Sequence, residues 1–512
     1  MKRATLLCAL CIILAFSASD LSASGVDLTG VGARAQAMGG NYRSIANDWS
    51  AMYWNPAGLA FTKGLGVGAS FEFVMPTSSF TVGNSQYGNL TGQNWPFSAA
   101  YRNERTNEPQ TFFLPAAGIT YNFGKLAVGV GVWAPFGLGS KWDILRTANN
   151  NLNNIPGKRF DTYSTQYPNI EYESNLQIID IHPTIAYKIS DKLSVGAGAS
   201  IILGDIFMRK PVYIQNPFLY NPNIYYALLA VAQVPEFMLR DMIRSPFDHL
   251  LTQAEMDGSG NGFGANFGLM FKPTKNLSIG ATVQWYNDVS MDGQFENTFY
   301  FPDVPDYTDI TKAFADSAFK GGMVTPDQYF ILANYYSGLI QSEGEKEVKA
   351  DLPLPLKAGL GISYSGIRNL LLSADVAYSQ WSAWDQILIT GANGETVATL
   401  DQNWQDALRL GLGFELTAGA AKIRGGFYSE GPAAVDETLT VAIPDINRRN
   451  VVTFGVQIPA GPVSISLNYE KLFIADKEVK TWAYDASTTA KNLAGLYTMN
   501  VNNLMLGLDF QF

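Results

Sequence analysis

The chain has 512 residues, of which 47% are hydrophobic, 13% aromatic and only 16% charged, with 48 glycines. Ordinary soluble domains carry roughly 25% charged residues, so this composition points away from a water-surrounded globule. The formal net charge of −10 argues against a nucleic-acid partner, which requires a basic face.

The first segment, 1–24, has the pattern of a secretory signal peptide. Lys2 and Arg3 precede an apolar run from Ala4 to Phe16, and "SASDLSASG" offers small residues for cleavage after Ser24. The apolar run is well short of the ~20 residues a spanning helix needs. Both cysteines, Cys8 and Cys11, fall within it, so the mature chain is expected to have neither disulfides nor thiol chemistry. Beyond it no stretch is long and apolar enough for a spanning helix. The best candidate, Ile224 to Val234, is short and stops at Pro235. A soluble periplasmic protein or a closed membrane barrel remains, since a barrel pairs every backbone group inside lipid.

The strand pattern favours the barrel. In "NNLMLGLDFQF", Leu504, Leu506, Leu508, Phe510 and Phe512 share one face, and Asn503, Met505, Gly507, Asp509 and Gln511 the other. "VSISLNYEK" and "LSIGATVQW" repeat this period of two. Fourteen such runs are predicted: 64–75, 111–123, 125–135, 173–189, 192–208, 260–272, 276–290, 352–365, 369–381, 405–416, 420–429, 449–459, 462–475 and 500–512. Short polar turns such as Phe123-Gly124-Lys125 and Ser190-Asp191-Lys192 alternate with long connections. An even strand count with short turns at one end suits an all-β membrane protein, a fourteen-stranded antiparallel outer-membrane β-barrel.

Two connections, about 209–258 and 291–350, are too long to be plain links. Tyr225, Leu228 and Leu229 have helical spacing, followed by Phe237, Met238 and Met242; the second connection carries Ile331, Tyr335 and Leu339 in the same way. These short helices either pack on each other or form an apolar groove for a hydrophobic ligand. Alternation points Lys357, Arg409, Lys422 and Arg424 into the lumen, with Asp375, Glu415, Glu470 and Asp509. Mixed signs in a narrow lumen form a self-neutralising network, although a basic member could also hold a ligand carboxylate. The two histidines, His182 and His249, have no metal-ligand spacing and no nucleophile-elbow partner. No metal, no cofactor and no enzymatic activity are expected, and an outer-membrane lipase is a weak alternative.

"GARAQAMGGNYRSIANDWSAMYWNPAGLA" (Gly32 to Ala60), "NGFGANFGLMFKPTKNLSIGATVQW", "NWQDALRLGLGFELTAGAAKIRGGFYSEGP" and "IPDINRRNVVTFGV" together resemble the FadL-type long-chain fatty acid and hydrophobic-compound transporters of Gram-negative outer membranes. The resemblance implies fourteen strands and a hatch, residues 25–63, folded inside a barrel of residues 64–512. It makes Asn55, Pro56 and Ala57 the hatch motif and Arg448 part of a Pro-Asp-x-x-Arg segment with Pro444 and Asp445. It also implies passive transport of long-chain fatty acids or other hydrophobic small molecules through a loop groove, a lumen site and hatch movement. The exit would be a lateral gap from an inward kink in the third strand, here near Pro135 and Gly137. The expected partners are the ligand, outer-membrane lipids and the barrel insertion machinery, and the protein is expected to be a monomer. Phe512 is expected to belong to the insertion signal, so its deletion should lower the amount of barrel in outer-membrane fractions. The opening segment also resembles the shuttle proteins of type IX secretion, which makes a protein-handling barrel the alternative.

Overall fold

The structure, a computed structural model, describes residues 25–28, 30–82, 105–144, 170–220, 222–232, 235–242, 249–485 and 489–511. The signal segment and Phe512 lie outside the described residues. Fourteen strands form the wall: β1 Gly64–Val82, β2 Phe112–Asn122, β3 Leu126–Trp142, β4 Tyr172–Lys188, β5 Leu193–Gln215, β6 His249–Thr274, β7 Leu277–Tyr286, β8 Lys357–Ile367, β9 Leu370–Ser379, β10 Ala407–Ala418, β11 Ala421–Glu430, β12 Arg449–Ala460, β13 Val463–Ile474 and β14 Gly495–Gln511. Each pairs antiparallel with the next. The last meets the first from Gly66↔Gln511 to Val82↔Gly495, so the sheet closes on itself into a barrel.

The alternation read from the sequence is the alternation of the wall. In β4, Asp180, His182 and Thr184 are buried inward while Ile181, Ile185 and Tyr187 are exposed outward. Phe113, Phe267, Leu360, Phe454, Leu467 and Leu504 continue this outer apolar belt around the barrel, which suits contact with lipid tails. No described helix is long and apolar enough to cross a membrane. The short turns lie where they were predicted, and Gly124 and Asn369 take the positive φ of 104° and 60° that such tight reversals require.

The predicted strand ends differ from the observed ones on the long-loop side. Strand β5 runs on to Gln215 and β6 starts at His249, so the ends of the expected 209–258 loop are strand. The expected 291–350 loop likewise carries most of strand Val289–Tyr300, with Ile340–Ser342 and the start of Lys346–Leu352. Above the lipid, both faces of a strand can meet water or other loops. The period-two apolar signal therefore fades in stretches such as Met256 to Gly262 while the backbone ladder continues.

Between them, the connections carry short helices: α3 Pro217–Tyr220, α4 Pro222–Ala232, α5 Glu236–Met242, α6 Pro305–Lys320 and α7 Pro326–Asn334. A capping box opens α7, with Gln328 N–H donating to Thr325 Oγ1 and Thr325 N–H to Gln328 Oε1. Tyr329 donates to Asp316 at 2.8 Å and ties α7 to α6. That carboxylate, accepting the hydroxyl, raises the Tyr329 phenol above its ordinary value.

One break interrupts the wall. The β2–β3 ladder runs from Asn122↔Ala127 to Ala117↔Val132 and stops there. Strand β2 stays paired to β1 as far as Phe112↔Val74. Strand β3 stays paired to β4, but Trp133↔Asp180 is followed by Phe136↔Ile178, so Ala134 and Pro135 oppose Ile179 alone. This is a β-bulge, which bends the strand that carries it, and Pro135 has no N–H to give to a ladder. Past the bulge β3 pairs on its other side with the N-terminal segment: Leu28 N–H donates to Pro135 O and Gly137 N–H to Val26 O, both at 3.1 Å. Among the described residues, Phe112 to Ala116 of β2 thus have no partner strand on the β3 side.

Candidate functional site

The N-terminal segment is bonded all round to inward-facing wall groups. It contains α1 Ala33–Ala37, α2 Ala51–Trp54 and a 3-10 helix, Pro56–Phe61. Asn468 donates to Ala33 O at 2.7 Å, Thr453 to Ala37 O at 2.8 Å, Asn266 to Met52 O at 2.7 Å and Ser194 to Ala57 O at 2.8 Å. These bonds satisfy carbonyls that irregular backbone would otherwise leave unpaired at membrane depth. Val31, Met38, Tyr42, Trp49, Met52 and Leu59 form the segment's own apolar core.

Asn55 is fully buried and uses its whole amide. Its Oδ1 accepts Ala57 N–H at 3.1 Å, which caps the 3-10 helix that Pro56 opens. Its Nδ2 donates to Arg43 O at 2.8 Å and to Leu269 O on β6 at 3.2 Å. The residue thus joins two parts of the segment to each other and to the wall. Gly280 makes room for this: a Cβ there would meet the Arg43 carbonyl carbon at 2.6 Å and Asn55 Nδ2 at 2.9 Å.

Three ion pairs link the segment to the lumen. Arg34 meets Glu415 at 2.8 Å, Arg43 meets Asp375 at 3.2 Å, and Asp27 pairs with Lys357. Glu415 also takes Arg424 at 2.7 Å and Lys422 at 3.2 Å, and Arg424 donates to Gln457 at 2.6 Å. Arg409 lies over the Tyr428 ring, 3.6 Å from its centroid, and donates to Gly39 O at 2.6 Å. Of the lumen basic residues expected from the sequence, Lys357, Arg409, Lys422 and Arg424 are therefore engaged with the segment or with Glu415. Arg448 reaches Ser429 at 3.3 Å, and it is its neighbour Arg449 that pairs with Asp445, at 3.2 Å. The sequence reading missed Arg449, although cross-strand register sets it opposite Glu430. It also missed Asp27, Arg34 and Arg43, whose signs complement the lumen charges.

Behind the bulge lies a cavity of about 380 Å³, within the usual range of about 300–1,000 Å³ for small-molecule sites. Its apolar lining includes Val26, Phe112, Phe113, Phe136, Leu472 and Met499. Its polar lining includes Asp27, Glu72, Glu430, Asp445, Arg449 and Glu470. Phe112 and Phe113 belong to the unpaired stretch of β2, so the cavity adjoins the break in the wall.

The loop residues, expected either to pack on each other or to form a groove, lie in the two long connections, apart from this cavity. Tyr225, Leu228, Met242 and Tyr335 are buried in one cluster, with Leu229, Met238, Ile331 and Leu339 packed against it. Phe237 is 75% exposed. None of the nine lines the cavity.

His182 is fully buried, with Asp180 Oδ2 at 3.3 Å and Ser200 Oγ at 3.0 Å from the same ring atom, Nδ1. A hydrolase triad needs acid and nucleophile on opposite ring nitrogens and an open approach. This arrangement has neither. His249 begins β6.

A closed wall with an apolar outer belt, and a lumen filled by the chain's own beginning, define an outer-membrane barrel. Residues 14–512 match the family described as Outer membrane protein transport protein (OMPP1/FadL/TodX), and the chain belongs to that family. It is accordingly an outer-membrane β-barrel protein of Gram-negative type, in a family of channels and not of enzymes. It is 26% identical over 253 residues to the 47 kDa outer membrane protein of Pasteurella multocida, covering 49% of this chain and 52% of that one. It is 22% identical over 280 residues to the Long-chain fatty acid transport protein of Escherichia coli, covering 54% of each. The chain thus spans about half the length of the curated relatives it matches. The crystal structure of a Pseudomonas aeruginosa FadL homologue superposes with a TM-score of 0.67 at 16% identity, covering 96% of this chain and all of that one. The P. putida toluene transporter TodX gives 0.61 at 14% identity, covering 96% and 99%. At such identities the likeness is one of fold.

Proposed function

We propose that this protein carries hydrophobic small molecules passively across the outer membrane, with the cavity behind β3 as its lumen site. The ligand would leave through the break between β2 and β3 into the lipid, and the N-terminal segment would act as a hatch that closes the axial route. The observation that carries this reading is the cavity's position: its wall includes the stretch of β2 that has no β3 partner. A hydrophobic molecule gains ~0.8 kcal/mol for each CH₂ it buries, so no energy source is needed to load the site. Sideways exit keeps such a molecule out of water at the step where exposure would cost most. The relatives' names extend to long-chain fatty acids and to toluene, which share an apolar body that such a scheme can carry.

The shuttle alternative lacks a comparable support, because the cavity has the size of a small molecule and not of a polypeptide segment. The test is mass spectrometry of organic extracts from protein purified out of native outer membranes. Bound hydrophobic compounds are expected. A co-purifying secreted protein with no such compound would favour the shuttle.

A further inference from the structure

The cavity's charges bear on the chemistry of its ligand, an inference that rests on the transport reading above. Five carboxylates line it, and Arg449 is the cation among its described lining residues. Two of the five are already engaged. Asp27 pairs with Lys357. Asp445 accepts Gly25 N–H at 3.0 Å and Ala433 N–H at 2.6 Å, and takes Arg449 at 3.2 Å. A third, Glu430, stands in register between Arg409 on β10 and Arg449 on β12.

Glu72 on β1 and Glu470 on β13 are different. They are 1% and 2% exposed, and no ion pair reaches either among the described residues. Glu470 Oε1 accepts Asn503 Nδ2 at 2.9 Å, but Glu470 Oε2 has no hydrogen-bond partner. Glu72 Oε1 has none either. An acceptor left unpaired in a closed site is costly unless something else donates to it. Both residues border a cavity large enough to admit a ligand.

We propose that Glu72 and Glu470 bind the head of the ligand, and that this head is a hydrogen-bond donor, an alcohol or an amine, on an apolar body. Phe112, Phe136, Leu472 and Met499 enclose the body. A fatty-acid carboxylate is disfavoured at this site, because it would add another acidic group to a lining of five carboxyl groups and one cation. Of the nearby cations, Arg449 is engaged by Asp445, Lys357 by Asp27, and Arg409 by Gly39 O and the Tyr428 ring, opposite Glu430 in register.

The test uses the purified full barrel in a non-ionic sugar detergent at pH 7, with tritiated 1-dodecanol as probe and unlabelled 1-dodecanol, dodecylamine and dodecanoate as competitors. Saturable dodecanol binding is expected, with dodecanoate competing at least tenfold more weakly than dodecanol or dodecylamine. Tighter dodecylamine than dodecanol would assign the head as cationic, and the reverse as neutral; both support the proposal. The isosteric pair Glu72→Gln and Glu470→Gln should reduce the preference over dodecanoate to threefold or less, with folding checked by heat-modifiable gel mobility. Dodecanoate competing as well as dodecanol in the wild-type protein would overturn the head-group assignment and leave the transport reading standing. A preference unchanged in the double variant would overturn the role of these two residues. No saturable binding of any of the three would sink the transport reading itself.

Discussion

Replacing Asn55 by alanine is expected to leave the barrel assembled and to lower ligand uptake by more than tenfold. The substitution removes the cap on the 3-10 helix, leaves the Arg43 carbonyl without this donor, and cuts the bond that ties the segment to Leu269 of the wall. Losing a cap costs about 1 kcal/mol, and a buried carbonyl left unpaired costs roughly 1–3 kcal/mol. The wall does not share this loss, because fourteen strands close it through their own ladders. The N-terminal segment bears it, and the segment supplies Val26, Asp27 and Leu28 to the cavity. Proteolysis should therefore attack the segment in the variant while the heat-modifiable mobility of the barrel persists. Uptake equal to wild type would reduce Asn55 to a turn-forming residue.

Deleting Pro135 is expected to seal the wall. Ala134 and Pro135 together oppose Ile179, so removing one residue restores one-to-one pairing of β3 with β4. Without the bulge β3 no longer bends inward, and Phe112 to Ala116 of β2 regain a neighbour. About five more residue pairs then join the ladder, so the barrel should assemble at least as well as wild type. Uptake should fall by tenfold or more, measured as accumulation of labelled hydrophobic compound by cells lacking their own transporters. Pro135→Ala keeps the two-for-one count, so its effect should be smaller. Wild-type uptake by the deletion would show that the ligand does not leave between β2 and β3.

The wall was legible in the sequence because a barrel in lipid enforces one rule along its length. Leu504 and Leu506 face outward and are exposed while Asn503, Met505 and Gly507 are buried on the lumen side, Gly507 against Ala33 of the N-terminal segment, and the alternation follows from those two surroundings. The rule lapses above the lipid, which is why β6 starts at His249 and was predicted only from 260. The bulge was harder to read. "VWAPFG" contains a proline, yet nothing local states that Ala134 and Pro135 share one partner; that depends on the register with β4.

Candidate residues divided along the same line. Inward charges were visible from alternation, but their partners were not, since Arg34, Arg43 and Asp27 reach them across about 330 to 380 residues of sequence. Glu72 went unread because "SFEFVM" shows a strand with one inward acid, and only the folded wall sets it beside the cavity that Glu470 also borders. Tyr225, Leu228 and Leu229 stand at helical spacing in the sequence, and in the fold Tyr225 and Leu228 are buried in the cluster that includes residues of α6 and its neighbours, with Leu229 packed against it.

The measurement closest to the central claim is an anomalous-scattering map from crystals grown with a terminally brominated long-chain alcohol. The account predicts bromine signal in or beside the cavity bounded by Phe112, Phe136 and Leu472, next to the β2–β3 break. Signal confined to the extracellular helices, or lying along the barrel axis on the far side of the N-terminal segment, would contradict it.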